Sequence, residues 1–361
     1  RCLLRWCHRA REGACDGQGI SMDIRFHETL AEHTTLRVGG PARRFVVAES
    51  EQEIIDTVRD CDARGEQLLV LGGGSNVVIA DSGFEGTVLH IASKGMHQET
   101  AACAGATVTV AAGEIWDDFV AYAIAHEWSG IEALSGIPGT VGATPIQNVG
   151  AYGQDVSQTI ARVRAYDRGM QQIRTFTFDN CKFGYRTSVF KEYTPRLVVL
   201  DVQYQLRLGA QSMPIAYAEL ASELGVAVGE RSTSAKVREA VLRLRASKGM
   251  VLDPKDRDTW SVGSFFINPT VEARMAPANA PQWPQPDGRI KVSAAWLVEN
   301  CGIGKGFELG GAGTSTKHAL AITNRGYASA AAVKDLSQLI RARVRVAFSI
   351  DLEPEPTFVN R

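Results

Sequence analysis

The residues able to do chemistry gather in a few short stretches, and the densest is LSGIPGTVGATPIQNVGAYG, 134–153. Its five glycines, Gly136, Gly139, Gly142, Gly150 and Gly153, and its prolines, Pro138 and Pro145, break any helix that starts there. Between them lie small or slender residues: Thr140, Val141, Ala143, Thr144 and Ala151. A backbone this bare can press against a flat or phosphorylated ligand, and glycine also permits positive φ. Successive free N–H groups make an anion cradle. Gln147 and Asn148 add amides that can read the edge of a heterocycle. Tight turns in an α+β domain are the alternative, and the density of glycine favours the ligand. A second bare loop, Gly72-Gly73-Gly74-Ser75-Asn76, follows Leu71. It matches neither GxGxxG nor a P-loop, so it is an ordinary turn or a loop whose backbone and Ser75 bond phosphate.

Five further places carry reactive side chains, the first three with two readings each. Tyr185-Arg186 in KFGYRTS is a solubilising loop tip, or a carboxylate clamp beside an aromatic wall. Arg243, Arg245 and Lys248 near a helix end complement the helix dipole, or meet a diphosphate. Ser264 in SVGSFFINP starts a strand, or serves as donor or acid in a dry pocket; it does not sit in the GxSxG elbow of a hydrolase. Glu353 and Glu355 near the chain end read as solvated carboxylates, and Tyr217 as a half-buried packing tyrosine. The seven histidines are scattered, with no His–Ser–acid set and no metal-ligand cluster.

Composition narrows the classes. The 361 residues are 45% hydrophobic and 22% charged, the balance of an ordinary soluble protein with two or three domains. A formal net charge of -1 provides no basic field for nucleic acid, and no apolar run approaches membrane-spanning length. Seven cysteines at scattered spacing, without a CxxC pair, suit free thiols in a reducing cytoplasm. Residues 1–21 are basic and hold three of those cysteines without the apolar core of a signal peptide. They are expected to be an unstructured leader, with the patterned sequence opening at Met22.

The elements that must position these residues follow from periodicity. A strand over 43–48 precedes Ser50 and Glu53, which form a capping box. Ile54, Ile55, Val58 and Cys61 share one face of the next helix, which Gly65 stops. A buried strand over 67–71 completes a βαβ unit. Strands are expected over 77–80, 87–91, 107–112, 160–166, 171–178 and 197–208, with a helix over 114–128. The texture changes after Gly209, which suggests a boundary between 22–210 and 211–361. In the second part a helix runs to 247, a proline-rich surface loop spans 276–288, and a short helix spans 294–301. A last helix from 331 carries Val333, Leu336, Ile340 and Val344 on one face, ahead of a strand over 346–352.

In chain order, TTLRVGG, LGGGSN, IPGTVGATPIQNVGAYG, FGYRTS, GSFFINP, WPQPDG and LEPEP together resemble the UDP-N-acetylenolpyruvoylglucosamine reductase family, from about Thr34 to Glu355. The resemblance implies an α+β fold: a two-part FAD-binding module of the vanillyl-alcohol-oxidase type, then a smaller α+β substrate domain whose last strand packs back on the module. It implies non-covalent FAD, NADPH as reductant, and reduction of an enolpyruvyl group on a UDP-sugar in cytoplasmic peptidoglycan precursor synthesis. Nucleic acid, membrane insertion and metal are not implied. By this likeness the FAD-binding residues are Gly72, Gly73, Gly74, Ser75, Asn76, Pro138, Gly139, Gly142, Ala143, Thr144, Gln147, Asn148, Gly150 and Gly153. Arg186, Ser264 and Glu355 take the catalytic places, Glu355 aligning better than Glu353. Tyr185, Lys248, Asn268 and His318 take the substrate contacts, His318 standing where some members have glutamine. MPIAYAEL looks like the family's tyrosine-bearing substrate loop and brings in Tyr217. Two other readings stay open: a different FAD oxidoreductase on the same fold, and a nucleotide-binding protein without catalysis, which would not need the Arg–Ser–Glu set.

Overall fold

The structure, a computed structural model, describes residues 22–101 and 105–360, so the expectation for residues 1–21 lies outside them. Its first lobe is a four-stranded sheet in the order Asp23–Thr29, Pro41–Ala48, Phe84–Ile91, Leu68–Leu71. The helix Glu51–Ala63 begins as its sequence dictates. Ser50 Oγ accepts from the Glu53 amide at 3.2 Å, and the Glu53 carboxylate accepts from the Ser50 amide at 3.0 Å. Ile54, Val58 and Cys61 are wholly buried in a core shared with Val46 and Leu89. The strands flanking this helix are parallel, as a crossover requires, but they are not neighbours: Phe84–Ile91 lies between them, parallel to both. Buried along nearly its whole length, that strand takes the centre of the sheet, where burial stabilises most.

The second lobe is an antiparallel sheet in the order Gln172–Thr177, Ile160–Asp167, Leu197–Leu208, Gly105–Ala111, Met96–Ala101. Against it packs the helix Trp116–Ala125, through Trp116, Phe119, Val120 and Ala123. This helix is shorter than the expected 114–128. Glu127 turns at φ 57, and Trp128 and Ser129 pair with the end of Leu197–Leu208 instead. Past Gly209, the helices Ala218–Leu224 and Ser234–Ser247 rest on this lobe, burying Leu220, Val237, Ala240 and Val241 with Ala133. The change of texture there marks a helical pair lying on the first half of the chain.

The remaining core gathers Phe265, Phe266, Leu297, Val298, Leu336, Ile340 and Val344 around the long helix Ala330–Phe348. It also takes in Leu36, Val38 and Val78 from the first lobe. Thr35 Oγ1 donates to Ser261 O at 2.7 Å and Asn324 Nδ2 to Arg37 O at 3.1 Å, so TTLRVGG is a tie between the two halves. The expected strand over 346–352 does not form. The helix continues past Val346, which faces solvent, and ends at Ser349 in the left-handed conformation. The closing strand is Thr357–Val359, parallel to Val77–Ile79 of the first lobe. The proline-rich stretch is mostly loop, with Gln282–Pro284 pairing Ile290–Val292. In class the chain is α+β, as expected.

The long helix takes its N-terminal contact from the other half of the molecule: Asp81 accepts from the amides of Ala330 at 2.7 Å and Ala331 at 3.0 Å. A carboxylate there meets both orphan donors and the helix dipole. Asp81→Ala should lower stability by about 1 kcal/mol, read as a fall in Tm. An unchanged Tm would show that this contact holds nothing together.

Candidate active site

The two glycine loops meet each other before they meet any ligand. A β-carbon on Gly72 would lie 2.4 Å from Thr140 Oγ1, and one on Gly73 2.8 Å from Gly139 Cα. One on Gly139 would lie 2.9 Å from Ser75 Oγ. Gly74, at φ 61, would drive a β-carbon to 2.0 Å from His33 O. Glycine is required here so that one loop can lie back on the other, a use that the bare-backbone argument from sequence did not anticipate. Ser75, Asn76, Pro138, Gln147 and Gly150 line a cavity of about 380 Å³ at this junction.

The other expected cofactor residues hold the loop rather than line that cavity. Gly142 donates its amide to Ala112 O at 2.9 Å, and Ala143 belongs to the single turn Val141–Ala143. Thr144 is buried, its hydroxyl bonded to Tyr204 Oη at 2.9 Å. Asn148 donates to Gly184 O at 3.1 Å and accepts from the Ser157 amide at 3.1 Å. Gly153 packs on Ala216.

Arg186, Glu355 and Ser264 come to the same cavity from three distant parts of the chain. Arg186 sits at φ 55 on a turn, and its guanidinium donates to Gly150 O at 2.6 Å and Asn148 O at 3.3 Å. Its Nε lies 3.4 Å from Glu355 Oε1. Gln147 donates to the same carboxylate oxygen at 3.1 Å and accepts from Asn76 at 2.8 Å, so both glycine loops are wired to the pair. Burial pushes the Glu355 carboxyl above its ordinary pKa, opposed by Arg186, Lys191 and the Gln147 amide. The segment that carries Ser264 is held by backbone bonds: the Glu355 amide donates to Phe265 O at 2.9 Å and the Ile267 amide to Glu353 O at 3.0 Å. Glu353 is exposed and lines a different cavity, so Glu355 is the carboxylate that faces the guanidinium of Arg186.

The expected substrate contacts lie around this centre. Asn268 accepts from the Ala294 amide at 2.9 Å, and the Tyr185 ring lies under Lys291 at 4.6 Å. Lys248 is paired with Glu219 at 2.6 Å. Tyr217 immediately precedes the helix Ala218–Leu224 and meets Tyr152 edge-on at 5.7 Å, a packing contact on the cavity wall. Sequence reasoning named Arg245 without placing it in the site. It is buried, donates to Gly136 O at 3.3 Å and Met250 O at 2.8 Å, and lines the cavity. Its position four residues beyond the buried Val241 on one helix face was the available signal.

Burial, with Lys248 and Lys305 nearby, presses the His318 imidazole down from 6.5 to about 4. The folded chain therefore binds fewer protons here than the unfolded chain as pH falls below 6.5. The contribution of neutral His318 to stability is complete above that pH and is lost as pH falls through about 4. His318→Gln should flatten the fall of Tm over that acid range relative to the parent. Parallel curves would show that His318 titrates as it does in water.

Known proteins align with this geometry over almost the whole chain. A family model described as "FAD binding domain" matches residues 42–174, and one described as "UDP-N-acetylenolpyruvoylglucosamine reductase, C-terminal domain" matches residues 253–359. The UDP-N-acetylenolpyruvoylglucosamine reductase of Cutibacterium acnes is 56% identical over 334 residues, covering 92% of this chain and 89% of its own. That of Thermobifida fusca is 50% identical, covering 92% of this chain and 96% of its own. The crystal structure of the Thermus caldophilus reductase superposes with a TM-score of 0.64 at 25% identity, covering 94% of this chain and 98% of its own. The chain belongs to the UDP-N-acetylenolpyruvoylglucosamine reductase family.

Proposed function

We propose that FAD and a UDP-sugar meet in the cavity between the lobes, and that Arg186, Glu355 and Ser264 carry the reaction there. The family activity is FAD-dependent reduction of the enolpyruvyl group of UDP-N-acetylenolpyruvoylglucosamine, giving UDP-N-acetylmuramate for peptidoglycan synthesis; in this reading NADPH is the reductant. The donor set fits FAD: the Ser75 hydroxyl, the Asn76 and Gln147 amides and the bare backbone at Gly150 suit a diphosphate and a ring edge, with Pro138 a flat apolar wall beside them. The remaining glycine-loop residues, Gly72 to Gly74, Gly139, Gly142 to Thr144, Asn148 and Gly153, keep that backbone in shape. FAD, when bound, supplies the hydride and the protein supplies position and field.

The observation that carries this reading is the Arg186–Glu355 pair, set against both glycine loops. Adding hydride to the terminal carbon of an enolpyruvyl ether builds negative charge on the adjacent carbon and its carboxylate. Arg186 meets that charge with a guanidinium already fixed by two carbonyls, so it need not reorganise. Glu355, biased by burial toward its protonated form, can donate a hydrogen bond to the same carboxylate. Ser264 then delivers the proton to the charged carbon.

Lys248 serves as the point charge for the diphosphate, and Tyr217 covers the sugar nucleotide. Tyr185, Asn268 and His318 complete the contacts. The lobes from 22 onward act as the FAD module and the third core as the substrate domain. A cytoplasmic setting accords with the free buried thiols of Cys61, Cys181 and Cys301, and no described helix is long and apolar enough to cross a membrane.

Ser264 acts only after the flavin is reduced, which separates its effect from folding and FAD binding. Ser264→Ala should keep its FAD and be bleached by NADPH at nearly the parent rate. In stopped-flow absorbance, reoxidation by the enolpyruvyl substrate should slow at least about a hundredfold. Unchanged reoxidation would remove Ser264 as the proton donor.

A further inference from the structure

We propose that Lys191 is a positioning residue for this reaction, its ammonium fixing the Arg186 backbone and placing a second cation behind the Arg186–Glu355 pair. The inference rests on the reading of Arg186 and Glu355 given above. Lys191 Nζ donates to the carbonyl of Arg186 at 3.1 Å. That carbonyl belongs to a tight turn in which Gly184 and Thr187 exchange backbone bonds at 3.0 and 3.4 Å around Tyr185 and Arg186. Arg186 stands there at φ 55, a left-handed conformation that a side-chain-bearing residue keeps only when its surroundings hold it. The ammonium is one of those restraints.

Lys191 is itself anchored. It lies on the single-turn helix Val189–Glu192, preceded by Ser188. The Ser188 hydroxyl accepts from the Phe190 amide at 3.1 Å and donates to Ile146 O at 2.6 Å, fastening the turn to the second glycine loop. Lys191 and Arg186 line a separate cavity of about 730 Å³ with Tyr185, Asn268 and Glu353. Lys191 lines this second cavity and not the one at the glycine loops, and its ammonium reaches the main chain of Arg186 from that side. A lysine placed only for solubility would extend into water. This one is half-buried and bonds a main-chain carbonyl of a proposed catalytic residue.

The groups facing the Glu355 carboxyl are Arg186 from the turn, Lys191 from the short helix, Gln147 from the glycine loop and the Tyr185 phenol. Arg186 and Lys191 are the cations among them, and both favour the carboxylate against burial. Removing Lys191 therefore loosens the turn and shifts the Glu355 carboxyl further toward its protonated form.

The test compares Lys191→Met with Lys191→Arg in the FAD-loaded enzyme. Lys191→Met should keep its flavin and its bleaching by NADPH, while reoxidation by the enolpyruvyl substrate slows about tenfold or more, as expected for a misplaced catalytic group. The limb of the pH–rate profile governed by Glu355 should move to higher pH. Lys191→Arg, which keeps the charge and the donors, should restore most of the rate and return that limb to its parent position. Parent-like reoxidation in Lys191→Met would overturn the proposal. So would a Lys191→Arg enzyme as slow as Lys191→Met, since shape alone would then matter. Arg186→Gln is the control on the underlying reading. If it reoxidises normally the catalytic assignment fails, whereas slow Arg186→Gln beside normal Lys191→Met removes Lys191 alone.

Discussion

The arrangement depends on how a few residues near the C-terminus are bonded on two sides. Toward the third core, the Ile267 amide donates to Glu353 O and the Glu355 amide donates to Phe265 O. Toward the first lobe, the Thr357 amide donates to Asn76 O at 3.0 Å, and Thr357–Val359 runs parallel to Val77–Ile79. One extended stretch is thus sewn to the segment carrying Ser264 and then to the strand that follows Ser75-Asn76. Backbone bonds of this kind are directional and leave little freedom in register. They place the Glu355 side chain beside the guanidinium of Arg186 and the amide of Gln147.

That placement is costly in isolation. A half-buried carboxylate beside a guanidinium loses hydration that their attraction only partly returns, and such a pair is weak evidence for stability. The surroundings make it tenable: carbonyls of Asn148 and Gly150 hold the guanidinium, and Asn76 orients the Gln147 amide that bonds the carboxylate. A buried polar network whose members find their partners is rigid. Rigidity of this kind is what stabilisation of a developing charge requires, because donors that are already aimed need no reorganisation.

What was legible in the sequence was local. Ser50 and Glu53 announced a helix start, and the spacing of Ile54, Val58 and Cys61, or of Val333, Leu336, Ile340 and Val344, announced buried faces that the structure shows. What was not legible depended on distant partners. No local pattern says that Phe84–Ile91 inserts between the strands of the βαβ unit, or that Thr357–Val359 finds Val77–Ile79. Val346 to Leu352 has strand-like composition, yet the helical face behind it carries the chain on to Phe348. The glycine loops were read for ligand approach, whereas Gly72, Gly73 and Gly139 first serve the contact between the loops. For Glu355 and Tyr217 the residues alone pointed to a solvated end and a packing ring. Family resemblance singled them out, and the fold sets both on the cavity wall.

This C-terminal stretch brings one particular carboxylate to Arg186. Two carboxylates two residues apart provide the sharpest test, since they line different cavities: Glu355 the one at the glycine loops, Glu353 the opening beside Lys191. Glu355→Gln and Glu353→Gln should each be loaded with FAD, reduced, and mixed with the enolpyruvyl substrate while flavin absorbance is followed. Reoxidation should be at least about a hundredfold slower in Glu355→Gln, and within about twofold of the parent in Glu353→Gln, as for an exposed side chain away from the reacting atoms. Normal reoxidation in Glu355→Gln, or a loss confined to Glu353→Gln, would contradict it.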